Sequence, residues 1–279
     1  MKTFDCFMFY DEEMILDFRL NYLNDYVDKF VIVESSYSHS GEKRKLIFDI
    51  KKYSNFKDKI SYMVLNKEPE DLFEIDGKEE FNRKNSKYIL NALKRENFQR
   101  NYIAKGLKDA SSEDMIIISD VDEIPNLEEN NLDNLKNKII LFNQKFFYYK
   151  FNLIISNHNW YGSRICVKKF LKSPQWLRNQ KVKKNFIGIF DRGIKVIKNG
   201  AWHFSYLMSP IKIKKKIESF AHSEYNKEEY KNLKNIESCI KNRTDLYNRK
   251  LNFEKISITS ELPLYLSENE DKYANWIAK

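Results

Sequence analysis

One stretch constrains this 279-residue chain more than any other. Asp114-Met-Ile-Ile-Ile-Ser119 is its most strand-like run, and it stops at Asp120-Val121-Asp122-Glu123-Ile124-Pro125. An unbroken β-branched apolar run of that length reads as a buried strand, and the proline blocks regular continuation. In an open α/β sheet the carboxyl end of such a strand is where ligands bind. Two carboxylates one residue apart at that edge can share a divalent cation, because hard Mg²⁺ or Mn²⁺ prefers oxygen and takes its remaining ligands from diphosphate. The competing reading of the same residues is an acidic turn that caps the next helix.

The segments before this run supply the rest of an α/β layout. Residues 4–10 read as a buried strand, and Met14, Ile15, Phe18, Leu20, Tyr22 and Leu23 follow at roughly helical spacing. Residues 29–34, Lys-Phe-Val-Ile-Val-Glu, form a second β-branched strand. A β-α-β start makes parallel pairing the default. A loop at 35–41, a short strand at 60–65, a polar stretch at 69–85 and a long helix over 86–110 lead into the acidic edge. Beyond it, strands are expected at 138–142, 145–155, 163–167 and 195–198, with helical pattern from 210 to about 250. No repeat and no Pro/Gly/Ser-rich linker divides the chain, so a single domain over residues 1–279 is expected.

Composition removes several classes. Only seven glycines are present, and no G-x-G-x-x-G or Walker loop can be assembled. Cys6, Cys166 and Cys239 are odd in number and widely spaced, without a C-x-x-C pair, and read as buried or free thiols. No apolar run approaches the roughly 20 residues of a membrane span, and the N-terminus lacks the layout of a signal peptide. A cytoplasmic location follows as the expectation.

The formal charge of +9 is unevenly distributed. Residues 1–133 carry 20 basic and 28 acidic side chains, residues 134–201 carry 15 and 1, and residues 202–279 carry 14 and 11. A nucleic-acid binder would use the basic centre and lose affinity steeply with salt, but no recognisable binding motif accompanies the charge. The central excess better suits a diphosphate donor, an anionic glycan or an anionic membrane surface.

A second candidate segment is Trp202-His203-Phe204-Ser205-Tyr206. A lone histidine among aromatics is more often a core histidine than a ligand. Its meaning changes when three blocks are taken together: residues 4–13 with 28–34, residues 98–107 with 118–125, and residues 200–207 with 218–225. In these blocks the chain resembles the glycosyltransferase family 17 enzymes, whose best-known members add a bisecting N-acetylglucosamine to glycoproteins. The resemblance implies an α/β fold of GT-A nucleotide-sugar transferase type, a mixed central sheet flanked by helices, with a UDP-GlcNAc donor, a divalent cation (Mn²⁺ or Mg²⁺) and inversion at the anomeric carbon. It implies a saccharide acceptor; given a cytoplasmic chain, a lipid-linked or cell-surface glycan is expected, and the basic central segment suits peripheral contact at an anionic membrane face. Another UDP-hexose is the alternative donor. Residues 1–133 would form the donor-nucleotide half and residues 134–279 the acceptor half.

By the same resemblance, Asp120 and Asp122 would bind metal and donor, and His203 would complete the metal shell. Tyr10, Glu12 and Glu34 would line the nucleotide pocket. Arg100 is a candidate donor contact, since a guanidinium pairs bidentately with phosphate. The general base is Asp191 by elimination, the only acid between Asp133 and Trp202; Glu123, Glu218 and Glu224 are the other acids considered. Among Phe146 to Phe151, Trp160, Trp176 and Trp202, one or two rings are expected to touch sugar, and the rest to be core.

Overall fold

The computed structural model describes residues 1–130, 138–156, 158–182, 193–219, 228–258 and 261–279. The first half builds a parallel unit. β1 (Thr3–Phe9) leads through α1 (Glu13–Leu23) to β2 (Lys29–Ser35), then to β3 (Ile60–Leu65), and α2 (Phe81–Tyr102) precedes β4 (Met115–Ile118). These strands lie in the order β3-β2-β1-β4, all parallel. The chain reverses its direction of travel between β1 and β4, so their carboxyl ends flank a topological switch point.

The second half is wound differently. β5 (Glu123–Pro125) leaves the acidic edge, followed by β6 (Ile139–Tyr148), β7 (Leu153–Ile155), β8 (Trp160–Val167) and β9 (Ile194–Ser205). β8 runs antiparallel to β4, with Ile118 opposite Arg164, so Trp160 to Gly162 project beyond the carboxyl end of β4. β6 pairs antiparallel with β8 and parallel with β9, and β10 (Phe253–Lys255) closes the far edge on β7. The result is a mixed ten-stranded sheet.

A register shift bends β9 against β6: Phe142 faces Ile197, yet Gln144 faces Ala201. Asn199 takes a positive φ of 51° within the extra residues. Such bulges re-aim side chains. Here the shift brings Trp202 opposite Ile124 and His203 opposite Glu123.

Helices follow local signals. Ser173 caps α3 (Pro174–Arg178) by accepting from the Trp176 N–H, with proline at the first helical position. In α4 (Pro210–Ser219), Ile213 and Ile217 are buried, while Lys212 and Lys216 occupy a second i, i+4 stripe. α5 (Glu228–Lys231) and α6 (Leu233–Asn242) complete this layer, and the short α7 (Leu264–Glu268) and α8 (Glu270–Tyr273) end the chain. Phe18, Phe147, Phe151 and Phe204 pack together in the main core. The three cysteines are buried and unbonded to one another. Among the described residues no helix is long and apolar enough to cross a membrane.

Candidate active site

The acidic edge is shaped from beneath by one buried arginine. Arg19 on α1 has no solvent exposure and forms a two-pronged pair with Asp5 of β1, Nε to Oδ2 at 2.7 Å and Nη2 to Oδ1 at 2.6 Å. Its remaining donors go to the turn after β4: the carbonyls of Asp120 (3.0 Å), Val121 (3.1 Å) and Glu123 (2.7 Å), and Ser119 Oγ (2.6 Å). Carbonyls that leave the sheet ladder are thereby satisfied without water. The turn is fixed before any ligand arrives.

Above it the two aspartates face different partners. Asp120 Oδ1 accepts from Arg100 Nη2 at 3.1 Å and Oδ2 from Arg178 Nη2 at 2.7 Å. Burial pushes its carboxyl up, but the guanidinium charges of Arg178 and Arg100 outweigh that and hold it at about 2. Arg178, at the end of α3, also makes a bidentate pair with Glu123, at 2.5 and 2.9 Å. Glu123 is fully buried and further accepts from Trp160 Nε1 (2.7 Å) and the Asp120 N–H (3.0 Å). Gly162 makes this nest possible. A Cβ there would lie 2.2 Å from Glu123 Oε1.

Asp122 belongs to a second cluster. Its Oδ2 lies 3.3 Å from Lys216 Nζ and its Oδ1 3.6 Å from His203 Nε2. Lys216 also lies 3.8 Å from Glu12 Oε1, so the ammonium bridges the β1 and β4 edges. Burial raises the Asp122 carboxyl, yet Lys216 and His203 pull it well below the usual carboxylate range. Burial would lower the Lys216 ammonium, and Asp122 and Glu12 reverse the sign. Glu12 itself is raised, chiefly by burial. Lys212, one turn back on α4, donates to the Asp11 carbonyl at 2.5 Å and ties the helix to the loop after β1.

Along the same edge, the Arg44 guanidinium covers the Tyr10 ring at 4.2 Å and donates to the carbonyls of Tyr10 and, at 2.7 Å, Ser35. A cavity of about 470 Å³ opens beside it, lined by Ser36, Tyr37, Lys43, Arg44, Lys45 and Asn66 at the ends of β2 and β3. Lys43, Arg44 and Lys45 give its lining a basic character, with the Arg44 charge paired to Glu34.

The expected residues are thus partly assembled and partly reassigned. Tyr10, Glu12, Arg100, Asp120, Asp122 and His203 do gather at one sheet edge. Glu34 does not present a free carboxylate: it is fully buried, accepts from the N–H groups of Ile47 (2.9 Å) and Phe48 (3.1 Å) and from the Tyr62 hydroxyl (2.7 Å), and pairs with Arg44 at 2.9 Å. It anchors the wall of the cavity rather than a base or ribose. Glu123 likewise has no lone pair directed to a substrate, since Arg178, Trp160 and the Asp120 N–H occupy both its oxygens. Glu218 is exposed on α4. Asp191 and Glu224 lie outside the described residues. Of the aromatic set, Phe147, Tyr148, Tyr149, Phe151 and Trp202 are core.

The expected metal set divides as well. Among the described residues no three His, Cys, Asp or Glu side chains converge as a metal-holding group. Asp120 is engaged by two guanidiniums. Asp122 and His203 remain as an adjacent oxygen and nitrogen, and His203 Nδ1 is buried without a hydrogen-bond partner. Asp122 Oδ1 and His203 Nε2, 3.6 Å apart, would offer one oxygen and one nitrogen to a divalent cation.

Arg19, Arg178 and Lys216 were not singled out from sequence. A charge inside the apolar run Phe18-Arg19-Leu20 is a signal that could have found Arg19, since an unpaired arginine is almost never fully buried. Arg178 and Lys216 carry no such mark, being two cations in lysine- and arginine-rich stretches.

The strand-turn-acid edge lies at a switch point beside a basic cavity. The glycosyltransferase family 17 profile matches residues 1–275. The chain belongs to that family, and it is a glycosyltransferase enzyme. No curated protein matches it. Among solved structures it is similar to HddC from Yersinia pseudotuberculosis complexed with GMP-PN, at 13% identity and a TM-score of 0.35, over 75% of this chain and 95% of that one. A second HddC structure from the same organism gives 14% identity and a TM-score of 0.32, over 72% and 92%.

Proposed function

We propose that the enzyme transfers N-acetylglucosamine, with inversion, from UDP-GlcNAc to a hydroxyl of a saccharide acceptor, on a fold of GT-A type. The family membership supports transfer of a sugar; the donor identity rests on the resemblance in the three sequence blocks. The single observation that carries the site assignment is the Lys216 bridge, at 3.3 Å from Asp122 and 3.8 Å from Glu12, at the switch point beside the basic cavity. A nucleotide in that cavity places its diphosphate toward this corner.

The chain's own residues then act as follows. Lys43 and Lys45 attract the donor's phosphates toward the cavity wall that Arg44 and Glu34 brace, and Lys216 offsets the negative charge that grows on the leaving diphosphate. Arg19 holds the turn so that no reorganisation is needed as charge develops. Asp122 and His203 are the residues that would hold Mn²⁺ or Mg²⁺, whose chemistry is neutralisation of the diphosphate. A general base removes the acceptor proton as its oxygen attacks; Asp191 is our assignment, ahead of Glu224. The donor half of residues 1–133 borrows His203 and Lys216 from the acceptor half. The basic central segment supports a cytoplasmic enzyme that meets its glycan, lipid-linked or on the cell surface, at an anionic membrane face.

The test is UDP release from a panel of UDP-sugars, with and without Mn²⁺, by wild type and Asp122→Ala. We expect release fastest from UDP-GlcNAc with Mn²⁺, and a loss of about 100-fold or more in the variant. Release indifferent to both metal and substitution would refute the site.

A further inference from the structure

Of the aromatic residues flagged in the sequence, the fold leaves Trp160 conspicuously open. His158, Asn159, Trp160 and Tyr161 are four consecutive exposed residues at the start of β8, with Trp160 37% and Tyr161 38% accessible. The other flagged tryptophan on the sheet, Trp202, is buried and donates to the Glu261 carbonyl at 2.8 Å. An exposed indole needs no explanation when it is isolated on a surface. This one is held in place.

Its Nε1 donates to Glu123 at 2.7 Å, a carboxylate that Arg178 and the Asp120 N–H already fix. Phe146 meets the ring edge-to-face at 6.3 Å and 70°, and His203 lies against it at 5.5 Å and 34°. His158 is nearly parallel to it, at 16° and 6.4 Å. The polar handle is therefore directed inward, and what remains exposed is chiefly the apolar carbon surface of the indole. Beside that surface stand His158, two residues back, and His203 across the strands, two imidazoles able to give or accept hydrogen bonds. A flat apolar face bordered by imidazole groups matches one class of ligand. The C–H face of a pyranose stacks on the ring while its hydroxyls reach the rim.

Position decides which sugar. The basic cavity lies at the ends of β2 and β3, the aspartates after β4, and Trp160 at the start of β8, the next strand over. Trp160 is separated from β2 by three strand spacings, about 14 Å. His203 touches both Trp160 and Asp122, so the indole sits one ring beyond the corner where the donor's diphosphate is placed. We propose that Trp160 is the stacking platform for the acceptor pyranose. This rests on the transferase reading above.

Two measurements test it. Intrinsic fluorescence is titrated, without donor, with methyl glucoside, galactoside and mannoside and with N,N′-diacetylchitobiose. At least one should quench the wild type, and the quench should vanish in Trp160→Phe but persist in Trp276→Phe. In transfer assays, Trp160→Ala should raise the acceptor KM about tenfold while Trp160→Phe, which keeps a ring, raises it less than about threefold. The donor KM, measured in the same variants, should move far less than the acceptor KM. Absence of quenching by every saccharide, or a donor KM that rises as much as the acceptor KM, overturns the proposal; the second result would move the indole to the donor sugar. If the wild type releases UDP from no UDP-sugar, the transferase reading fails, and the titration still decides the platform.

Discussion

Arg178 is the residue whose loss the structure costs most clearly. Among the described residues its guanidinium joins the side-chain carboxylates of Asp120 and Glu123, with four N–H···O contacts to those acids and the Gly162 carbonyl. Arg178→Met keeps the aliphatic stem and removes the charge. Glu123 would then be a carboxylate with no exposure and only the Trp160 and Asp120 N–H donors. Breaking one side of a buried pair costs about 3–5 kcal/mol; the two surviving donors place this case near the lower end, about 3 kcal/mol. At about 2–4 °C per kcal/mol for a chain of this size, the melting temperature should fall by about 6–12 °C. Urea denaturation should show a lower midpoint at constant slope. Arg178→Met with Glu123→Gln removes the stranded charge, and the double variant should be less destabilised than the sum of the singles by about 2 kcal/mol. A single variant that loses under about 1 kcal/mol, or strict additivity in the double, would refute the role assigned to this pair.

Two further expectations concern the same turn. Asp120 has its folded pKa depressed to about 2, below the 3.8 of the free side chain, so it stabilises the fold above about pH 4, and that contribution is lost as pH falls toward 2. Acid unfolding followed by circular dichroism should be less steep across that window in Asp120→Asn than in wild type. Gly162→Ala should destabilise by about 2–3 kcal/mol and lower UDP release, because the new Cβ meets the Glu123 carboxylate at 2.2 Å; unchanged melting would show that the nest relaxes.

The elements legible in sequence were those whose pattern is local. The strand at 60–65 matches β3 residue for residue, and those at 4–10, 29–34 and 114–119 differ from β1, β2 and β4 by a residue or so at their ends. The long helix begins earlier, at Phe81, and its last turns tighten into a 3₁₀ segment, Ile103–Leu107. The second half was read less well. The two strands at 138–142 and 145–155 are one continuous β6 followed by a turn and β7, because the polar Asn143 and Gln144 sit at a register shift instead of a break. β9 runs on to Ser205, through Trp202 and His203, where sequence gave only 195–198. Periodicity fails at such a shift, since the side-chain alternation that marks a strand is interrupted there. At the site, the acids were legible because carboxylates at a strand end stand out. Their cationic partners were not, because what selects Arg178 from the other fourteen cations of residues 134–201 is a short helix packed beside β8. Glu34 and Glu123 were recognised as acids of interest, yet only burial and partner geometry distinguish an anchoring carboxylate from a reactive one.

The tie between α4 and the loop after β1 has a consequence for how the enzyme is made. Lys212 reaches Asp11 across 201 residues of chain, and Lys216 spans a similar length to Glu12. The parallel unit of β1 to β4 depends on much shorter loops. During synthesis it can pair its strands while Glu12 and Asp122 still lack their ammonium, and loop closure makes docking of α4 a late event. A chain that stops before residue 210 therefore has Asp120 and Glu123 paired by Arg100 and Arg178, while Glu12 and Asp122 still lack the Lys216 ammonium. The corner that joins β1 to β4 is completed by a single amphipathic helix, α4.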